Sequence, residues 1–295
     1  MRTRPAPRRY ETLLVRKVAP YSRRTMKLVV RGLVVALALL AGVLAVPGTA
    51  SAAVTRVGYD VSYPQCGSAL PSARAFAVVG VNGGLATKAN PCLATQLRWA
   101  WRSNGSVTTQ PKAQLYLNTA NPGELRAQVT TWPTVGSTPY GTCAGANDMA
   151  CSWQYGYERA RTSVVSFFTP AARSAGVDTL PSRYTWWLDV ETENTWQSGS
   201  TDARARNRAT VEGMTAYLLS RGGRVGLYST GLQWATIVGT VPSTSNLVGR
   251  NSWLAGATTL AQAKSNCTRA PLVPGGRVTL TQYVPDALDR NNSCI

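Results

Sequence analysis

Asp189 and Glu191 close the segment Tyr184-Thr185-Trp186-Trp187-Leu188-Asp189-Val190-Glu191, an apolar run that ends in two carboxyl groups. Such a run predicts a strand buried on both faces, as in a parallel sheet. Side chains alternate along a strand, so Thr185, Trp187, Asp189 and Glu191 share one face and Trp186, Leu188 and Val190 the other. At a rise of about 3.3 Å per residue, the two acids stand about 6.5–7 Å apart. Acids in that position must be hydrogen-bonded or lie in a cleft, because burying a bare charge is costly. Paired carboxyl groups at this kind of spacing are the equipment of glycoside hydrolysis. The plain structural alternative is a strand running into a solvated loop, with Glu191 and Glu193 simply exposed.

The chain contains no histidine. This removes Ser-His-Asp and Cys-His catalysis and every histidine-dependent zinc site, leaving carboxylates, Tyr, Ser or Lys to do any chemistry. No metal or organic cofactor is implied. All six cysteines (Cys66, Cys92, Cys143, Cys151, Cys267, Cys294) follow residue 52, and none forms a C-x-x-C pair. In an exported chain an even count predicts disulfides. Proximity in sequence favours Cys66–Cys92, Cys143–Cys151 and Cys267–Cys294 among the roughly 15 possible connectivities.

Export is itself expected. The uncharged run Leu33–Val46 follows Lys27 and Arg31 and precedes Ala50-Ser51-Ala52. That is the layout of a secretory signal cleaved after Ala52, too short for a membrane span. Met26 serves as an alternative start, and Arg23-Arg24 resembles a twin-arginine signal. Residues 1–52 are read as this extension and 53–295 as one domain. Ten of the 31 bases and one of the 13 acids precede residue 53, which leaves 21 bases against 12 acids, a net +9. A positive field of that size draws a protein toward an anionic polymer. No nucleic-acid-binding motif is present, so a cell-wall polysaccharide is the expected partner, with a secreted monomer as the default.

Around the acids, strands and helices alternate. Strands are predicted at 57–62, 76–81, 113–118, 184–191, 224–229, 252–255 and 278–283. Helices are predicted at 91–102, at 153–175 with a break at Pro170, at 202–221 with Thr201 or Asp202 as cap, and at 232–238. Residues 131–152, rich in Gly, Thr and Pro, predict a long loop. This alternation implies a parallel α/β fold, and seven strands imply a distorted or incomplete (β/α) TIM-like barrel. In such barrels the active site lies at the C-terminal ends of the strands, where Asp60, Asp189 and Glu191 would all sit.

Several short stretches in order resemble glycoside hydrolase family 25, the muramidases (lysozymes) of bacteria and phages. They are Gly58-Tyr59-Asp60-Val61-Ser62, Phe76-Ala77-Val78-Val79 with Gly83-Gly84, Leu188-Asp189-Val190-Glu191, Gly226-Leu227-Tyr228-Ser229, Trp253-Leu254-Ala255, Gln282-Tyr283 and Leu288-Asp289-Arg290-Asn291. The resemblance covers nearly all of residues 55–295. It implies cleavage of the β-1,4 bond between N-acetylmuramic acid and N-acetylglucosamine in peptidoglycan. Glu191 would be the general acid. Asp189 would stabilise positive charge or orient the N-acetyl group, and Asp60 and Asp289 would complete a cluster whose repulsion raises the proton affinity of Glu191. Asp286 is the alternative fourth acid, and the D-x-N match favours Asp289.

The chain departs from the family pattern in lacking Tyr after Trp253-Leu254-Ala255, in the segment around Cys143 and Cys151, and in its six cysteines. Two other readings therefore stand beside the muramidase. One is a non-catalytic carbohydrate- or wall-binding protein on the same barrel, and the other a hydrolase of a different polysaccharide. Trp196, Trp234 and Tyr228 are candidate substrate contacts, because aromatic faces suit the apolar faces of sugars. Trp187 would point inward beneath the acids as a structural residue.

Overall fold

Eight strands close into a barrel in a computed structural model that describes residues 55–295. They are β1 (Gly58–Val61), β2 (Phe76–Gly80), β3 (Ala113–Asn118), β4 (Thr185–Asp189), β5 (Arg224–Ser229), β6 (Asn251–Ala257), β7 (Val278–Tyr283) and β8 (Arg290–Ser293). The expected secretion signal lies outside the described residues. The strands follow chain order around the barrel, β1 to β7 in parallel. β8 runs antiparallel to both β7 and β1.

The fold is thus a distorted α/β barrel, and a closed one. The strand absent from the sequence reading is β8, whose Arg290-Asn291-Asn292-Ser293 carries no apolar residue. Backbone pairing to two neighbours holds it, and no hydrophobic pattern announces it. Its direction has a consequence for the site. An antiparallel strand begins where parallel ones end, so Asp289, just before β8, falls at the same mouth as Asp60 and Asp189.

The barrel interior is packed by aromatic rings set against glycines on adjacent strands. The pairs are Gly58 with Phe76, Gly80 with Tyr116 and Trp187 with Gly226. A Cβ built on Gly58, Gly80 or Gly226 would stand 2.2, 2.5 and 2.2 Å from the facing ring. Small-against-large pairing of this kind fills a small barrel. Trp187 lies inside as expected, its indole N–H donating to Gln114 Oε1 at 2.8 Å. Trp186, Leu188 and Val190 point the other way, into the apolar layer between barrel and helices.

That outer layer is built by α1 (Leu93–Trp101), α2 (Met149–Thr162), α3 (Thr169–Ala175), α4 (Thr201–Ser220), α5 (Gly231–Ile237) and α6 (Leu260–Asn266). No break occurs at Pro170. A π-helical segment, Ser163–Phe168, joins α2 to α3. A proline cannot donate to the preceding turn and crowds its carbonyl, and the wider π turn relieves both. Ser200, one residue earlier than expected, caps α4 by accepting from the Ala203 N–H at 3.0 Å. α2 and α4 touch through Gly156 and Gly213, where a Cβ would stand 2.0 Å from a carbonyl oxygen of the opposite helix.

Residues 131–152 are more ordered than a loop. They contain a hairpin of Gly136–Thr138 and Gly141–Cys143 and the start of α2. The three disulfides are Cys66–Cys92, Cys143–Cys151 and Cys267–Cys294, the connectivity that sequence proximity favours.

Candidate active site

Asp189 ends β4 and Asp60 is the penultimate residue of β1, both at the barrel mouth, and each is only 7 % exposed. Glu191 lies two residues beyond β4 and is half-buried. The Val190 N–H donates to Tyr228 O at 2.9 Å, which carries the strand direction past its formal end. Asn194 Nδ2 and the Thr119 hydroxyl donate to the Asp189 carbonyl, and Trp196 Nε1 donates to the Glu191 carbonyl at 2.9 Å. The backbone that presents both acids is therefore fixed from three sides.

Asp60, Asp189, Glu191 and Asp289 line one recess of about 80 Å³, walled by Tyr116, Tyr228 and Trp253. Two larger hollows of about 490 Å³ each lie beside Trp196 and beneath Trp187, and neither is lined by an Asp or Glu side chain. Size therefore does not select the reactive place here; the convergence of charge does. Asp286, the rejected fourth acid, pairs instead with Arg290 on the surface.

Asp60 is the most firmly held of the four acids. Gln282 Nε2 donates to its Oδ1 at 3.0 Å and Asn291 Nδ2 to its Oδ2 at 2.7 Å. The Tyr228 hydroxyl donates to Gln282 Oε1 at 2.7 Å, which fixes the amide so that its N–H faces Asp60. Tyr228 also lies within hydrogen-bonding reach of Glu191. One phenol proton serves one acceptor at a time.

Burial pushes all four carboxyl groups above the usual carboxylate range, because desolvation disfavours the charged form. The rise is largest in direction for Asp60 and Asp189, helped by Asp289 on Asp60 and by Glu191 on Asp189. For Glu191 the second cause is the neighbouring charge of Glu193. The charge of Glu191 bears directly on Asp189, so ionising one carboxyl opposes ionising the other. Asp189 Oδ1 is buried without a hydrogen-bond partner among the described residues.

Of the aromatic candidates, Tyr228 lines the recess, while Trp196 lines a different hollow. Trp234 is a correction. It is 4 % exposed within the layer between barrel and helices, so it presents no face to a ligand. Its place on the inner side of α5, a short helix, gave no sequence signal of burial. Tyr116, Trp253, Gln282 and Asn291 carry no assigned role in the sequence reading yet build the site. The signal that finds them is period two: each stands on the inward face of its strand, at or near the barrel mouth.

Neither a protein-family model nor a curated protein sequence matches the chain. Solved structures it resembles include a muramidase from Trichobolus zukalii, at 16 % identity and a TM-score of 0.45, with 81 % of this chain and 93 % of that one covered. A bacterial lysozyme from Streptomyces coelicolor is similar at 15 % identity and a TM-score of 0.46, with 81 % and 91 % covered. At similarities this low, function has to be read from the site itself.

Proposed function

We propose that the protein is a secreted glycoside hydrolase of the lysozyme type, cleaving β-1,4 bonds of peptidoglycan by carboxylate acid catalysis. The observation that carries this reading is the convergence of four carboxyl groups, from three separate segments, on one recess at the barrel mouth. A binding protein gains nothing from like charges held together at the expense of stability. Three disulfides fit an oxidising compartment outside the cytoplasm.

In this reading Glu191, half-buried and kept protonated by burial and by Glu193, gives its proton to the glycosidic oxygen as the C–O bond breaks. The developing carboxylate then accepts the Tyr228 proton in place of Gln282. Asp189, in its ionised form, stabilises the positive charge at the anomeric carbon. Alternatively, its unpartnered Oδ1 receives the N–H of the substrate's N-acetyl group, so that the acetyl oxygen can attack. Asp60, clamped by Gln282 and Asn291, and Asp289 hold the local field negative. Water adds to the anomeric carbon, and its proton returns to Glu191.

Digestion of purified peptidoglycan followed by mass spectrometry of the fragments tests the reading. New reducing ends on N-acetylmuramic acid support it. Reducing ends on N-acetylglucosamine, or release from another polysaccharide alone, would assign a different bond.

A further inference from the structure

A further hollow of about 440 Å³ is lined by Tyr63, Gly83, Gly84, Lys88, Ala89 and Pro91. We infer that this hollow is a glycan subsite for a sugar residue that carries a carboxylate, with Tyr63 stacking on the ring and Lys88 pairing with the acid. The inference rests on the reading of the barrel mouth as a glycan site, and it assigns that site a preference for anionic over neutral chains.

Position is the first argument. Tyr63 begins the turn three residues after Asp60, and Gly83 lies three residues after Gly80, the last residue of β2. Ser62 joins the two places, because its Oγ and the ring of Tyr116, which walls the carboxyl recess, both crowd Gly80, where a Cβ would stand 2.5 Å from each. A polymer lying across the recess on this side meets Tyr63 next.

Chemistry is the second. Tyr63 is 57 % exposed, while most rings of the barrel are buried. An exposed ring offers an apolar face edged by a hydroxyl, which is what a pyranose matches. Gly83 provides the floor, since a Cβ there would stand 3.4 Å from the ring. Lys88 is exposed, is the one charged side chain lining the hollow, and enters none of the ion pairs among the described residues.

Rigidity is the third. Both walls are built before any ligand arrives. The Cys66–Cys92 disulfide ties the Tyr63 turn to the start of α1. Beneath it, Gln96 Nε2 donates to Ser62 O at 2.7 Å, while Asn90 Nδ2 donates to Gln96 Oε1 at 2.7 Å and Gly80 O at 2.8 Å. Asn118 Nδ2 donates to Gly84 O at 2.7 Å. A site whose walls are fixed in this way loses little freedom on binding.

The test uses the full chain carrying Glu191→Gln, so that binding is read without turnover. Calorimetry compares a neutral N-acetylglucosamine tetrasaccharide with the alternating N-acetylglucosamine–N-acetylmuramic acid tetrasaccharide, the latter with and without its peptide stem. Adding Tyr63→Ala should weaken all three about tenfold, and Tyr63→Phe should restore most of that. Adding Lys88→Glu should weaken the carboxylated ligands about fivefold and leave the neutral one unchanged. A loss confined to the stem-bearing ligand assigns the carboxylate to the peptide. A loss confined to the bare glycan assigns it to the lactyl group, and both support the subsite. Equal effects of Lys88→Glu on neutral and charged ligands, or none on any, overturn it. Normal cleavage with such null effects leaves the hydrolase reading intact. Lys88-dependent binding without cleavage by the unsubstituted chain keeps the subsite and sinks the hydrolase.

Discussion

At the scale of single residues, the proposed mechanism requires the Glu191 carboxyl to hold a proton until a leaving oxygen needs it. Burial does most of this, and the charge of Glu193, an exposed neighbour, adds to it. Removing that charge favours ionisation of Glu191 and lowers its pKa. Glu193→Gln should therefore move the alkaline limb of the pH–rate profile toward lower pH, with little change in the maximal rate. An unmoved limb would separate Glu193 from the acid. The same burial has a stability consequence. Each carboxyl of the cluster binds its proton more tightly in the folded than in the unfolded chain. Stability from these groups is thus full below the ordinary carboxylate range and is lost as pH rises through the raised pKa values. Asp189→Asn should raise the melting midpoint at pH 7 and change it much less at pH 4, while abolishing activity. A lower midpoint at pH 7 would show that Asp189 holds the fold together. Sites that trade stability for chemistry behave in the predicted way.

At the scale of elements, two devices set where those residues stand. The first is the glycine contact between α2 and α4, with no room for a methyl group on either side. Gly156→Ala should force the helices apart and lower stability by about 1–3 kcal/mol in denaturant titrations. The second is β8, which brings Asp289 and Asn291 to the mouth and is tied through Cys294 to Cys267 at the end of α6. Replacing both cysteines by alanine should remove about 3 kcal/mol. It should also lower activity at temperatures where the barrel is still folded, because Asn291 then loosens its hold on Asp60. β8 also shows why pattern reading stops short. β3, β5 and β7 are legible to the residue because they are apolar or alternate. β8 is polar throughout: its inward Asn291 serves Asp60, and its pairing partners are set by topology. Asp60, Asp189 and Glu191 stand out in the sequence because carboxyl groups at the end of an apolar strand are conspicuous, whereas Asp289 is picked out only by the D-x-N resemblance. Gln282 and Asn291 do not stand out, because an amide has no such signature until its partner is in place. Trp234 misled for the converse reason, since sequence gives an aromatic residue without its exposure.

At the scale of the molecule, the charge left after residue 52 is +9, and among the described residues no helix is long and apolar enough to cross a membrane. Attraction to an anionic wall polymer should carry much of the binding. Retention on purified walls should fall steeply as salt rises above about 0.15 M, where the screening length is about 8 Å. Salt-independent retention would place the affinity in the site alone. The central claim is that this barrel mouth cleaves glycan with Glu191 as its acid. Reducing-sugar release from purified peptidoglycan, by the unsubstituted chain beside Glu191→Gln, tests it most directly. Release by the first and near-complete loss in the second are expected, with both still bound to the wall. Wall binding by both with release by neither would contradict it and leave a carbohydrate-binding barrel.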